Sequence, residues 1–511
     1  MPNTPQITLE YLVDCLDGNE YGDATLFATL FRDRFVFDTS TEKWMCFGGN
    51  FWEEDHDDQS RAAVHVDCAE QYKRLYDDLK AKQQDVTDGK LSLNEAEKTA
   101  LAERIKKASR RIDRMRSVRG AENTLRVARS LRSDHGPLVA HGEAWDTQPM
   151  LLPLSNGVLD LEAGSLLPGV PGDYLRRHCG CEYQSSATAP VFERFINEIL
   201  CEDAEKIDFF QRALGYSLTG LTTEQYLFCL TGAGANGKNV LMETLHAVYG
   251  EFFWSAETEL FLEQKYNKPS GSANADVASL HGRRLVSMSE APPHRRIDVA
   301  RVKKFTGSDT LTARSPHDKY EINFQPTAKF FMSFNDRPRG LAVDFAMRRR
   351  LIYIDFPLRF VEDVESEQQR DPQNAQFYRK RDPALKEKIL SELPGVLNWL
   401  LDGCLKFQKY GLSPPASIQE NVQNIIRDED QLGRYLNECC ERRDGARMKF
   451  KLFYDALAEW WDEEVGDRAR ISKRGISNEL KKRGFIVESR GGVSWIYGLE
   501  IVVHVDRHDE P

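Results

Sequence analysis

The sequence has no long apolar run and no paired cysteine motif. No stretch approaches the ~18 apolar residues of a membrane-spanning helix. The N-terminus, MPNTPQITLEYLVDCLDGNEYGD, has no basic start followed by an apolar core, so we expect neither a signal peptide nor a membrane span. Of ten cysteines, only Cys179/Cys181 and Cys439/Cys440 lie close together, and neither pair has a second pair at metal-ligand spacing. We therefore expect reduced thiols in a cytoplasmic protein.

The chain also has no excess of positive charge. Its formal net charge of -11 excludes a uniformly basic nucleic-acid coat, so any contact with nucleic acid must come from local basic patches. One such patch lies in a segment of helical composition, at about residues 90–133. A solvated helix face and a polyanion contact both remain open for it. Its basic residues are Arg104, Lys106, Lys107, Arg110, Arg111, Arg114 and Arg116.

A length of 511 residues favours about three domains, and 41% hydrophobic residues suffice for their cores. Residues 1–190 mix helical and strand patterns and predict an α+β domain, in which KWMCFGGNFWEED is a hairpin. Residues 191–365 alternate strands and helices, which is typical of an α/β sheet. The predicted strands are 225–230, 283–289, 328–334 and 350–356.

The remaining residues form two further regions. Residues 366–430 are predicted to be largely helical, with a break at Pro394-Gly395. Residues 361–383 are charged and polar with no apolar period, and they predict a loop or an excursion from the fold. In residues 431–511, two helices precede a hairpin that turns at Gly491-Gly492. Helices followed by a two-stranded wing are typical of a winged-helix-like DNA-binding domain.

The sequence TGAGANGKNVL, residues 231–241, nearly matches a P-loop. Its two glycines and lysine alone occur by chance in roughly one chain in ten of this length. Here, however, an apolar strand precedes the loop and a helix follows it, and a glycine-rich helix N-terminus binds anions. We therefore predict nucleotide binding, with Lys238 at the β and γ phosphates, rather than an ordinary glycine turn. The predicted nucleotide-binding residues are Gly232, Ala233, Gly234, Ala235, Asn236, Gly237, Lys238, Asn239 and Val240.

Polar residues flank three further strands. Glu290 follows RRLVSMS and is a candidate for holding magnesium and orienting the attacking water. Asn335 follows KFFMSF and can hydrogen-bond that water or the γ phosphate. Arg349 and Arg350 enter the last strand, where an arginine can neutralise transition-state charge. Each of these residues also has a structural interpretation when taken alone. Glu290 fits a surface glutamate at a strand end, Asn335 a turn-forming asparagine, and the arginines a solvated basic cluster.

In this order the elements resemble superfamily III helicases, a branch of the AAA+ ATPases. They look closest to the primase–helicases of phages, plasmids and large DNA viruses, including the poxvirus type. LHGRRLVSMSEA is similar to the Walker B segment, and AMRRRLIYIDFP to the arginine-finger strand. VKKFTGSDTLTARSPHDKYEINFQPTAKFFMSFNDRP, with Lys303 and Arg314, resembles the two motifs between them. EAWDTQPMLLPLSNGVLDLEAG and GGNFWEED are similar to the domain that precedes the helicase.

The resemblance implies an AAA+ P-loop core and an ATP- and magnesium-dependent DNA helicase that acts in replication. It implies a homo-hexameric ring that moves 3′ to 5′ on single-stranded or forked DNA, with an arginine finger from the neighbouring subunit. It also implies a pore hairpin between Arg314 and Phe324, with His317 and Lys319 near its tip, so that Lys303, Arg314, His317 and Lys319 are candidates for DNA binding. A nucleotide-gated initiator or loader without unwinding, and an inactive ATP-binding scaffold, are the alternatives.

Two departures from the family pattern matter. Asn239 stands where a hydroxyl residue holds magnesium. Since an amide carbonyl is also a hard oxygen ligand, we predict an active but atypical site, with Asn239 and Glu290 as magnesium ligands. Many family members also carry an upstream primase domain, whereas this sequence begins nearly at the pre-helicase domain. We therefore expect a separate primase or polymerase as a partner, in the host cytoplasm if the protein is encoded by a phage or virus.

Overall fold

The computed structural model describes residues 7–131, 138–262, 274–289, 297–314, 321–335, 345–464 and 472–502. None of the helices within these ranges has the length and apolar character needed to cross a bilayer. All ten cysteines lie in these ranges as thiols without disulfide partners. The protein has the α/β character predicted from its sequence, with helices around several separate sheets.

The N-terminal part packs six helices against a small mixed sheet of order β3-β2-β1-β4. The predicted aromatic hairpin is confirmed, with Phe47 opposite Trp52 in an antiparallel pair. A second, antiparallel sheet follows, formed by β5, β6 and β7. The elements are α1 (Leu9–Asp17), α2 (Asn19–Phe31), β1 (Phe35–Asp38), β2 (Lys43–Phe47), β3 (Trp52–Glu54), α3 (Gln59–Ala63), α4 (Ala69–Thr87), α5 (Glu95–Met115), α6 (Val118–Ala128), β4 (Val139–Ala140), β5 (Leu151–Leu154), β6 (Gly157–Asp160) and β7 (Ser165–Leu167).

Ion pairs within the N-terminal part account for much of the basic run on α5. The Arg111 side chain is 6% exposed and pairs with the fully buried Asp23 of α2. Lys107 pairs with Asp17 at 2.8 Å, and Arg114 pairs with an acidic residue of α2. These contacts fasten α5 to the turn between α1 and α2, so a packing role explains several of its cations, while Lys106 and Arg110 stay exposed.

A five-stranded parallel sheet occupies the centre of the chain. Numbered along the chain, its strands lie in the order 5-1-4-3-2, and all four pairings are parallel. The four predicted strands are confirmed, whereas the second strand, β9, was not predicted. The elements are α7 (Pro190–Ile199), α8 (Ala204–Leu218), β8 (Leu227–Thr231), α9 (Lys238–Tyr249), β9 (Phe253–Ala256), α10 (Ala275–Ala278), β10 (Leu285–Met288), α11 (Val299–Thr306), β11 (Leu311–Ala313), β12 (Ile322–Phe324), β13 (Lys329–Phe334), α12 (Phe345–Arg348) and β14 (Leu351–Asp355).

The helices after the sheet pack into its core rather than apart from it. α8 and α15 cross at Gly215 and Gly403, where an added Cβ would lie 2.1 Å from a backbone atom of the opposite helix. The predicted break is confirmed, since α14 ends before Pro394 begins the first turn of α15. For the loop or excursion predicted at 361–383, the loop alternative was wrong in part, because a short helix and a parallel strand pair form there. The elements are β15 (Arg359–Val361), α13 (Val364–Arg370), β16 (Tyr378–Lys380), α14 (Leu385–Leu390), α15 (Leu393–Tyr410) and α16 (Ala416–Glu429).

The C-terminal part forms its own apolar core beneath a three-stranded antiparallel sheet of order β17-β19-β18. The predicted hairpin is confirmed, since β18 and β19 pair directly across Gly491-Gly492. The third strand, β17, was not predicted from the sequence. The elements are α17 (Gln431–Cys439), β17 (Cys440–Lys449), α18 (Phe450–Glu464), α19 (Lys473–Lys482), β18 (Ile486–Arg490) and β19 (Val493–Ile501).

Candidate functional site

The glycine loop between β8 and α9 has a backbone that requires its two motif glycines. Gly232 has φ 146°, and a Cβ there would lie 2.3 Å from the carbonyl oxygen of Phe356. Gly237 has φ 89°, and a Cβ there would lie 2.9 Å from Ile199 Cγ2. Because both positions combine a positive φ with close contacts, any larger residue would strain the loop. The sequence pattern therefore corresponds to a real geometric constraint.

The middle of the loop is anchored to the edge of the sheet. Ala235 accepts a hydrogen bond from the backbone N–H of Phe360 at 2.7 Å. The Asn236 side chain is buried, and its amide nitrogen lies 3.5 Å from the Phe356 carbonyl oxygen. Asn236 therefore supports the loop from inside with its side chain. Gly234, at the loop tip, is exposed.

Lys238 begins α9, and its ammonium lies across the base of the loop. Its side chain is buried, and Nζ donates to the carbonyl oxygens of Gly232 at 2.5 Å and Phe334 at 2.8 Å. These two bonds join the loop to the neighbouring strand, β13. A cation is thus held beside the N-terminus of a helix, and both features favour an anion at the loop.

Asn335 directly follows β13, which lies between β8 and β10 in the sheet. Phe334 pairs with Thr231, and the Gly232 N–H donates to the Phe334 carbonyl oxygen at 3.3 Å. Asn335 is exposed beside the glycine loop. The sheet therefore brings Asn335, one of the predicted site residues, next to the glycine loop.

Asp355 also lies at this edge, and the sequence analysis overlooked it. It ends β14 opposite Thr231, so its carboxylate reaches the same carboxyl edge as the loop. Lys206 lies 3.6 Å away, and the Asn421 side chain donates to Asp355 at 3.3 Å. Asp355 thereby connects α8 and α16 to the loop edge. Its signal in the sequence was an acidic residue that ends the apolar strand RLIYIDF.

The predicted magnesium ligands are only partly described. Asn239 is exposed on the first turn of α9, whereas Glu290, which follows β10, lies outside the described residues. In the described part of the chain, no group of three or more His, Cys, Asp and Glu side chains is placed to hold a metal ion. A magnesium site with Asn239 and Glu290 therefore stays a prediction.

Arg349 and Arg350 lie at the opposite edge of the sheet from the glycine loop. β14 runs parallel to β8 and begins after these arginines, and five strand residues span roughly 16 Å. Arg350 is buried and donates to Gln225 Oε1 at 2.7 Å, while Arg349 is exposed. Neither arginine is placed to reach an anion in the loop of its own chain.

Two buried cations hold this opposite edge together. Lys329 donates to the carbonyl oxygens of Leu221 at 3.3 Å and Thr327 at 2.8 Å. Arg284 donates to the carbonyl oxygen of Gln148 at 3.2 Å, which ties the N-terminal part to β10. Burial lowers the pKa of Lys329 well below its usual value and the pKa of Arg284 to about 10. Carbonyl dipoles thus satisfy both donors.

The predicted DNA-binding residues are described only at the base of their hairpin. β11 and β12 pair antiparallel, with Thr312 opposite Asn323. Arg314 directly follows β11, and its carbonyl oxygen accepts from the Asn274 N–H at 3.0 Å. Lys303 lies on α11. His317 and Lys319 lie outside the described residues.

Comparison with known proteins found a matching family model, viral relatives and a solved structure. The family described as "D5 N terminal like" matches residues 24–201. A protein of Acanthamoeba polyphaga mimivirus, named as a candidate helicase, is 28% identical over 326 residues, which are 62% of this chain and 33% of the relative. A similarly named protein of Invertebrate iridescent virus 6 is 21% identical over 68% of this chain and 38% of its own length. A solved apo structure of the C-terminal region of NrS-1 is 12% identical, with a TM-score of 0.45 and coverage of 91% of this chain and 95% of that one.

The fold and the loop define an α/β protein whose parallel sheet carries a strand–glycine loop–helix unit at its carboxyl edge. The matched family and the viral relatives show that the chain is similar to the D5-type primase–helicases. The chain spans about a third of the length of these relatives.

Proposed function

We propose that this protein is an ATP-driven DNA helicase of superfamily III, with an AAA+ core, that acts in viral, phage or plasmid DNA replication. One observation carries the proposal: a lysine-bearing glycine loop opens a helix at the carboxyl edge of a parallel sheet, with Asn335 on the adjacent strand. Ligands of parallel α/β sheets bind at this edge. The names of the viral relatives support the same activity.

The loop residues fit a nucleoside triphosphate. The backbone amides of residues 232–240 would surround the phosphates, with Lys238 compensating their negative charge. Asn239 and Glu290 would hold a magnesium ion, which supplies neutralisation of the β and γ oxygens when bound. Glu290 would also orient the attacking water, and Asn335 would hydrogen-bond that water or the γ phosphate.

The position of Arg349 supports a ring. An arginine at the far edge of the sheet cannot serve its own loop, but a neighbouring subunit in a head-to-tail ring can receive it. Arg349 is the better candidate for this finger, because it is exposed while Arg350 bonds Gln225 within the chain. A homo-hexamer that moves 3′ to 5′ on single-stranded DNA, served by a separate primase or polymerase, completes the proposal.

Two elements are proposed to contact DNA. The hairpin built on β11 and β12 would present His317 and Lys319 to a single strand in the pore, with Lys303 and Arg314 near its base. The C-terminal part has the element order α17-β17-α18-α19-β18-β19, which supports a winged-helix-like DNA-binding domain. Its exposed cations on α19 and β18 include Lys473, Arg474, Lys481 and Arg490.

A strand-displacement assay tests the proposal. A forked DNA substrate is incubated with the protein and magnesium, with ATP in one arm and a nonhydrolysable analogue in the other. A helicase separates the strands with ATP alone. DNA binding that depends on nucleotide, without separation in either arm, would instead indicate an initiator or loader. Absence of any ATP hydrolysis would indicate a scaffold.

Substitution of Asn239 tests the atypical loop. If Asn239 binds magnesium through its carbonyl oxygen, Asn239→Ser should keep ATPase activity, while Asn239→Ala should lose magnesium-dependent turnover because no side-chain oxygen remains. Magnesium titrations of the ATPase rate in the three proteins measure this. An alanine variant with wild-type rate and wild-type magnesium dependence would show that Asn239 has no role in binding the metal.

Lys319→Ala separates DNA contact from nucleotide chemistry. We expect this variant to lose unwinding and DNA stimulation while basal ATPase activity survives, because the hairpin contacts DNA only. The salt dependence of single-strand affinity should fall by about 0.7 in logarithmic slope for one lost phosphate contact. Lys90→Ala, which removes an exposed cation from the N-terminal part, is the matched control. Intact unwinding by Lys319→Ala would rule out the hairpin assignment.

A further inference from the structure

The base of the 311–324 hairpin, which is formed by β11 and β12, packs against the N-terminal part of the chain. A single helical turn, Gly142–Ala144, follows β4 and reaches β12. The Glu143 carboxylate accepts hydrogen bonds from both the backbone N–H and the side-chain amide of Asn323, each at 3.3 Å. Asn323 in turn accepts a hydrogen bond from the Thr312 hydroxyl at 2.7 Å. One carboxylate thus contacts a residue that joins both strands of the hairpin.

Gly142 brings the two parts into close contact beside Glu143. A Cβ at this position would lie 2.9 Å from Ile322 Cγ2 on the hairpin and 2.9 Å from Ser40 Cβ in the N-terminal part. Gly142 is buried between them. The approach therefore depends on the missing side chain, and the turn has little room to shift relative to β12.

A buried network reaches the same hairpin from a second direction. Asp146 accepts from the backbone N–H groups of Arg176 at 2.8 Å and Arg177 at 3.0 Å. The Arg177 guanidinium donates to the His281 carbonyl oxygen at 2.7 Å from Nη2. The His281 ring then packs on Phe324 of β12, with ring centroids 4.9 Å apart. The N-terminal part therefore contacts β12 directly at Asn323, and it reaches Phe324 indirectly through His281.

The His281 ring of this network is neutral around neutral pH. Burial, with the nearby Arg176, lowers the pKa of His281 to about 4, so that its ring is neutral where it packs on Phe324. Arg176 lies 3.5 Å from the fully buried Asp38 of β1. The contact is thus held by fixed charges and packing.

We propose that Glu143 is a positioning residue for the hairpin: the N-terminal part, through Glu143 and the Gly142 contact, holds β12 in the orientation in which the hairpin engages single-stranded DNA. This inference rests on the proposed helicase function. Glu143 itself touches neither nucleotide nor DNA in this scheme. Its removal loosens the hairpin base and leaves the glycine loop unchanged.

Glu143→Ala in the full-length chain tests the proposal. We expect unwinding and DNA-stimulated ATPase activity to fall by about threefold to tenfold, the loss that one or two hydrogen bonds would produce. Basal ATPase activity and melting temperature should stay at wild-type values, because Glu143 is exposed. Glu143→Gln keeps the accepting oxygen and should restore most of the lost activity. Glu162→Ala, at an exposed glutamate of the N-terminal part, is the matched control and should behave as wild type.

A double-mutant cycle with Asn323→Ala measures the coupling between the two substitutions, which a general loss of stability would not produce. Contact between the two side chains predicts that the double variant loses less than the product of the two single losses. Wild-type unwinding by Glu143→Ala, or independent effects in the cycle, would overturn the positioning role alone. Loss of basal ATPase activity in Glu143→Ala would also overturn it, in favour of a structural role. A wild-type protein that neither unwinds DNA nor responds to it would overturn the proposed function and this inference together.

Discussion

Lys238→Ala is expected to reduce the rate of ATP hydrolysis by at least about a hundredfold. Removal of one hydrogen-bond donor that stabilises charge in an active site has an effect of this size. The Lys238 ammonium is buried at the loop base, where two backbone carbonyl oxygens hold it in place. Without it, the phosphate charge would be uncompensated at a site with little water to screen it. Steady-state ATPase rates at saturating ATP and magnesium measure the loss.

The fold should survive this substitution. Two carbonyl oxygens lose a partner, a cost of about 1–3 kcal/mol for each one that stays buried, and the melting temperature reports that change separately from turnover. Lys386→Ala is the matched control, since Lys386 pairs with Glu243 of α9 at 2.7 Å but lies away from the loop. Normal turnover in folded Lys238→Ala would rule out the nucleotide site.

The sequence predicted the loop and most of the central sheet because their signals are local. Gly232, Gly237 and Lys238 stand at the correct spacing between an apolar strand and a helix, and the structure shows both glycines at positive φ. β9 was not predicted because only four residues form it and only three residues separate it from the end of α9. β17 was not predicted because its residues are largely charged and exposed.

Other features depend on tertiary contacts that no local pattern reveals. The sequence shows three consecutive arginines, but only packing shows that Arg350 turns inward to Gln225. The contact between Glu143 and Asn323 joins residues 180 positions apart in the chain. Asn236 lies in the phosphate-binding motif, yet its side chain is buried beneath the loop. Residue type and spacing thus identified the candidates, and the structure shows which of their side chains are buried.

Arg349→Ala is expected to reduce ATPase activity by about a thousandfold or more, the effect of losing an arginine finger. Its exposed position, at the sheet edge opposite the loop, suits a group that serves a neighbouring subunit. Arg350→Ala should behave differently. Arg350 is buried and bonded to Gln225, so its loss should lower stability by about 1–3 kcal/mol before it affects chemistry.

Mixed rings separate a finger supplied in trans from one that acts within its own chain. Arg349→Ala subunits keep an intact loop, and Lys238→Ala subunits keep an intact finger. In an equal mixture with a head-to-tail ring, roughly a quarter of the interfaces should join an intact loop to an intact finger. ATPase activity should therefore reappear on mixing two proteins that are each inactive. Since β14 places Arg349 far from the loop of its own chain, a mixture that co-assembles without recovering activity would contradict the trans role. The same mixing experiment can be done with Arg350→Ala in place of Arg349→Ala. If Arg350→Ala alone is folded and inactive, and mixing restores its activity, Arg350 would be the finger.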